Sequence, residues 1–104
     1  MPAYRQTGLR LKLLKKEYMS FEPKIAIVGL GYVGLPLARL FSTKYLTIGF
    51  DINQSRVNEI MNGHDSTLEV EDNLLQSSIN NGFVCTSDIE KIKGCNFYVV
   101  TVPT

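Results

Sequence analysis

Eleven consecutive residues constrain this chain more than any others: Lys24-Ile25-Ala26-Ile27-Val28-Gly29-Leu30-Gly31-Tyr32-Val33-Gly34. The first five form a short apolar run rich in β-branched side chains, which reads as a buried parallel strand. The run enters Gly29, Gly31 and Gly34, and the helical spacing of Val33, Leu37, Leu40 and Phe41 follows. Strand, G-x-G-x-x-G and helix therefore come in the order that a dinucleotide-binding turn needs. Gly29 permits the tight turn, Gly31 lets backbone N–H groups approach a pyrophosphate, and Gly34 lets helix and strand pack closely. The phosphates would rest on free N–H groups at the positive end of the helix dipole.

Glycines at this spacing also occur in ordinary loops, so a second signal is needed. Leu46-Thr47-Ile48-Gly49-Phe50 reads as another buried strand and ends in Asp51, 22 positions after Gly29. A carboxylate at that distance, on the tip of the second strand, accepts hydrogen bonds from the adenosine ribose hydroxyls. Its charge repels a 2′-phosphate, so NAD is expected rather than NADP. Arg56 works against this, because an arginine near the ribose serves NADP. We read Arg56 as flanking the adenosine half, with Asp51 setting the preference.

Four strands alternate with helical patterns along the remaining chain. The first helix is expected over roughly 33–44, with Pro36 tolerable only near its first turn. The second follows Asp51, with Asn53 as N-cap, Val57, Ile60 and Met61 as core stripe and Gly63 as stop. Residues 64–68 form a polar loop. A third helix fits Val70 to Asn80, with Leu74, Leu75 and Ile79 on its apolar stripe. Phe83–Thr86 is a short strand, Ser87 or Asp88 caps a helical turn over Ile89–Lys93, and Asn96–Val102 is the last and most apolar strand. The alternation predicts an α/β fold, a doubly wound parallel sheet with right-handed crossovers.

The overall charge is +1 at neutral pH, which gives no reason to expect nucleic acid. The charge is nevertheless asymmetric, about +4 over residues 1–20 and −3 over the rest. Residues 1–22 read as a basic N-terminal extension. Its Leu11, Leu14 and Tyr18 would share one face if it became helical. No secretory pattern is present, and no apolar stretch is long enough to span a membrane. Residues 23–104 read as a partial Rossmann domain.

His64, the single histidine, reads as a solvated loop residue, and with no cluster around it no metal site is expected. Cys85 should be buried on a strand and Cys95 should lie in the following turn, both as reduced thiols.

The assembled residues resemble the N-terminal part of the UDP-glucose/GDP-mannose dehydrogenase family, from Lys24 to Thr104. Its most specific stretches are Ile27–Ala38, above all Gly31-Tyr32-Val33-Gly34-Leu35-Pro36, then Gly49–Asn53 with Arg56-Val57, and Val99–Thr104. The resemblance implies an oxidoreductase that takes C6 of a nucleotide sugar from alcohol to carboxylate, with two NAD reduced in succession. It implies that Gly29, Leu30, Gly31, Tyr32, Val33 and Gly34 cradle the pyrophosphate. Asp51 would bind the ribose with Arg56 beside it, Val102 and Pro103 would lie against the cofactor, and Thr86 is a further candidate. Val102, where UDP-glucose enzymes often carry threonine, resembles the branch acting on N-acetylated UDP-hexosamines.

Neither Cys85 nor Cys95 matches the family's nucleophile, so no catalytic residue is assigned. The expectation is a Rossmann sheet truncated after about four strands, inactive by itself, from a cytoplasmic parent enzyme. That parent would meet its nucleotide sugar through other domains and form a homo-oligomer, with neither nucleic acid nor membrane as partner. Two alternatives stand beside this reading: the opening of another Rossmann dehydrogenase, of the 3-hydroxyacyl or 6-phosphogluconate type, and a non-catalytic nucleotide-binding module.

Overall fold

The computed structural model describes residues 22–102, and the basic extension expected at the N-terminus, apart from Glu22, lies outside them. The chain runs β1 (Lys24–Val28), α1 (Gly34–Ser42), β2 (Leu46–Phe50), α2 (Gln54–Met61), α3 (Asp72–Asn80), β3 (Val84–Thr86), a 3₁₀ turn (Ile89–Ile92) and β4 (Phe97–Val100). All strand pairs are parallel and the sheet order is β3-β2-β1-β4. The direction of strand addition reverses between β1 and β4. That reversal is the switch point of a doubly wound sheet, where the crevice outside the strand ends receives ligands.

Register separates the two faces of the sheet. Ile25, Ile27, Thr47, Gly49, Cys85 and Val99 share one face, and Ala26, Val28, Leu46, Ile48, Phe50, Val84, Tyr98 and Val100 the other. The first face carries the core. Ile25, Ile27 and Cys85 pack with Leu30, Leu35, Ala38, Val57, Ile60, Val70, Leu75 and Phe83 from the loops and helices. The 3₁₀ turn lies on the second face, where the Tyr98 hydroxyl donates to the Ile92 carbonyl at 2.6 Å. Leu46, Val84, Tyr98 and Val100 remain exposed there.

Several local expectations shift for identifiable reasons. Helix α1 begins at Gly34, so Pro36 falls in its first turn, where its missing N–H costs little. Its inward side is Gly34, Leu35 and Ala38, whereas Val33 and Leu40 face solvent. Contact between Gly34 and the Gly29 backbone sets this rotation, which overrides the apolar spacing. Helix α2 is capped as expected, with Asn53 Oδ1 accepting from the Arg56 N–H. Helix α3 starts at Asp72 rather than Val70, because the Val70 N–H is drawn to the Asp65 carboxylate. Leu75 is buried and Leu74 half exposed. Strand β4, expected over Asn96–Val102 as the most apolar strand, spans Phe97–Val100 and is an edge strand among the described residues, with Phe97, Tyr98 and Val100 exposed.

Candidate functional site

The loop Gly29–Val33 leaves the C-terminal end of β1 and enters α1. Gly29 has φ +101°, and a Cβ there would lie 2.6 Å from the Thr101 carbonyl oxygen. A Cβ at Gly34 would lie 1.7 Å from the Gly29 carbonyl oxygen. Both glycines are therefore demanded by the protein's own backbone. Gly31 differs, because a Cβ there meets nothing within 4 Å and its φ is not in the left-handed region. The fold itself does not need a glycine at 31. Open space over a bare backbone is what close approach of a phosphate requires. The N–H groups of Gly31, Tyr32 and Val33 have no acceptor among the described residues, whereas Gly29 donates to the Phe50 carbonyl at 2.8 Å. The Tyr32 and Val33 side chains point into solvent and leave their amides accessible at the start of α1.

Leu30 sits apart from the other loop residues. Its side chain is fully buried and fills the space over Gly49. Its N–H donates to Asp51 Oδ2 at 2.9 Å, and its carbonyl accepts from Arg56 Nε at 2.7 Å. The two charged residues singled out in the sequence thus converge on Leu30, Asp51 on the peptide before it and Arg56 on the peptide after it. Asp51 Oδ1 also accepts from the Asn53 N–H at 2.9 Å. An ionised carboxylate has about four acceptor positions, so two remain for a ribose diol.

Arg56 belongs to a second cluster that sequence reasoning missed. Its Nη1 contacts Asp65 Oδ1 at 2.8 Å and Glu59 Oε2 at 3.1 Å, and its side chain is 10% exposed. Asp65 is buried and organises the loop that follows α2. Its Oδ1 accepts from the Thr67 N–H and hydroxyl, and its Oδ2 from the Glu69 and Val70 N–H groups. Burial pushes the Asp65 carboxyl up, but hydrogen bonds from Thr67, Arg56 and Val70 outweigh it and bring it down to about 2. Hydrogen bonds from Ser66 likewise hold Glu59 below the usual carboxylate range. The readable signals were Asp65-Ser66-Thr67, an Asx-turn pattern, and the i,i+3 spacing of Arg56 and Glu59.

Thr101 was also missed. Its hydroxyl donates to the Gly29 carbonyl at 2.9 Å, and its N–H continues the ladder to Val28. It closes the loop from the side of β4. Val102, exposed, follows at the mouth of the crevice, and Pro103 lies outside the described residues. The Thr86 carbonyl accepts from the Asp51 N–H and its hydroxyl from the Asp88 N–H, so its polar groups serve the local chain.

Burial pushes the Cys85 thiol up to about 12 and raises Cys95 as well, which keeps both protonated and poorly nucleophilic. His64 lies in the exposed part of its loop, with Nδ1 3.0 Å from Asp72 Oδ1. No helix among the described residues is long and apolar enough to cross a membrane.

Parallel sheet, switch point, bare Gly31, free amides and strand-end carboxylate together define a Rossmann-type dinucleotide-binding domain. Residues 23–104 match the UDP-glucose/GDP-mannose dehydrogenase family, NAD binding domain, and the chain belongs to that family. Over 83 residues it is 53% identical to the UDP-N-acetyl-D-glucosamine 6-dehydrogenase of Salmonella typhi, covering 80% of this chain and 19% of that protein. Among solved structures it resembles the UDP-D-ManNAc dehydrogenase of Pyrococcus horikoshii, with TM-score 0.72, 33% identity and coverage of 76% and 20% of the two chains. A GDP-mannose dehydrogenase ternary complex from Pseudomonas aeruginosa gives TM-score 0.71 at 29% identity, covering 78% and 20%. The chain spans about a fifth of the length of these relatives.

Proposed function

We propose that this chain is the NAD-binding part of a nucleotide-sugar 6-dehydrogenase that acts on a UDP-N-acetylhexosamine. The observation that carries the site assignment is the open space at Gly31 beside three unpartnered amides. In this reading the Gly31, Tyr32 and Val33 N–H groups hold the pyrophosphate, at the positive end of α1. Gly29 and Gly34 bring loop and helix together, and Leu30 transmits the position of Asp51 and Arg56 to the loop. The two free acceptor positions of Asp51 receive the adenosine ribose hydroxyls. Val102 follows β4 toward the cofactor, Thr86 borders the adenosine side, and Pro103 is kept as a cofactor contact on the sequence resemblance alone.

NAD, when bound, accepts hydride. Held on the Gly31, Tyr32 and Val33 N–H groups and Asp51, two NAD in succession would take up the two hydrides that separate the C6 alcohol from the carboxylate, with water as the source of the second oxygen. The identity with the Salmonella typhi protein supports the N-acetylhexosamine branch, as does Val102 before Pro103. No residue of this chain is assigned to the chemistry at C6. The groups that bind the sugar and act on it belong to regions that the relatives have beyond the matched fifth.

Calorimetric titration with NAD and NADP, on the protein and on Asp51→Ala, tests the cofactor site. The expected result is NAD binding at least about tenfold tighter than NADP, with the preference erased in the variant. Equal binding of both nucleotides and no effect of Asp51→Ala would remove the adenosine assignment. Turnover of UDP-N-acetylglucosamine by the intact protein should form two NADH for each sugar oxidised. A stoichiometry of one, or oxidation of UDP-glucose alone, would overturn the substrate reading.

A further inference from the structure

Arg56 poses a problem that Asp51 alone does not solve. An arginine at the start of the helix after β2, joined to the loop that Asp51 also holds, is well placed to receive a 2′-phosphate. Tight phosphate recognition by arginine is bidentate and uses two adjacent N–H donors on one edge of the planar guanidinium. One such edge is Nε with Nη2, the other Nη1 with Nη2. The Leu30 carbonyl occupies Nε at 2.7 Å. Asp65 and Glu59 occupy Nη1 at 2.8 and 3.1 Å. Nη2 has no partner among the described residues. Nη2 is itself buried, so neither edge presents two accessible donors and no fork can form on phosphate.

We propose that Asp65 and Glu59 are positioning residues for cofactor choice: by filling Nη1 of Arg56 and neutralising its charge, they withhold from a 2′-phosphate the arginine that would otherwise receive it. This inference rests on the reading of Asp51 and Arg56 as the adenosine end of the NAD site. Discrimination against NADP then has two parts, direct repulsion by Asp51 and suppression of Arg56. The suppression is robust because Asp65 is fixed by four further hydrogen bonds from Thr67, Glu69 and Val70. It does not swing aside when a ligand arrives.

The test is calorimetric titration of the intact protein with NAD and with NADP, across Asp65→Asn, Glu59→Gln and the double variant Glu59→Gln/Arg56→Gln. Glu59 is partly exposed at the surface of α2, so Glu59→Gln gives a readout even where Asp65→Asn does not fold. The ratio of the two dissociation constants should fall by about tenfold in Asp65→Asn and about threefold in Glu59→Gln, mainly through tighter NADP binding. Adding Arg56→Gln should cancel the gain. A folded Glu59→Gln protein with the wild-type ratio, or a gain that survives without Arg56, overturns the inference. A wild-type protein that does not prefer NAD overturns the underlying site reading and this inference with it. A wild-type protein that prefers NAD, with both variants unchanged, overturns this inference alone.

Discussion

At Gly34 an added methyl group would collide with the Gly29 carbonyl, and at Gly31 it would enter open space. Two alanine substitutions three residues apart should therefore fail in opposite ways. Gly34→Ala forces loop and helix apart and should cost roughly 3 kcal/mol of stability, read as a lower midpoint of denaturant unfolding. Gly31→Ala should leave stability within about 0.5 kcal/mol of wild type. It should nonetheless weaken NAD binding by about tenfold or more, because the methyl group occupies the approach to the amides. Loss of stability at Gly31 with binding intact would contradict the assignment. The three glycines were readable from their spacing alone. Their division into two that serve the protein and one left open to a ligand was not, because it depends on Thr101, 72 positions away from Gly29.

Among the elements, the loop between α2 and α3 carries the strongest electrostatic commitment. The Asp65 carboxyl, held at about 2 against an ordinary 3.8, stabilises the folded state while it is ionised. Its contribution is complete above the unfolded value and is lost as pH falls from about 4 toward about 2. A depression of this size is worth about 2 kcal/mol. Urea unfolding between pH 5 and pH 2 should show a steeper loss of stability in the wild type than in Asp65→Asn. Parallel curves would mean that Asp65 is not the group responsible. Parallel strands with capped helices between them were legible as elements, down to the Asn53 and Asp88 caps. The start of α3 and the inward side of α1 were not, since Asp65 and Gly29 decide them from outside each helix.

For the whole molecule, the two faces of the sheet are unequal. One is covered by three helices, and the other leaves Leu46, Val84, Tyr98 and Val100 exposed across a sheet whose edges, among the described residues, are β3 and β4. An apolar face next to an open edge favours self-association. Sedimentation of the 104-residue chain by itself should show association that grows with concentration, and Leu46→Lys should reduce it. A chain monomeric at all concentrations would contradict this. The order of local patterns, and with it the class of fold and the family, came from the sequence alone. Periodicity, glycine spacing and a strand-end carboxylate are properties of neighbours along the chain. Only the tertiary structure decided that Asp51 and Arg56 grip the same residue, Leu30, that Asp65 restrains Arg56 and that Thr101 closes the loop. These are contacts between segments brought together when the sheet forms, and no local pattern encodes which buried charge will meet which partner.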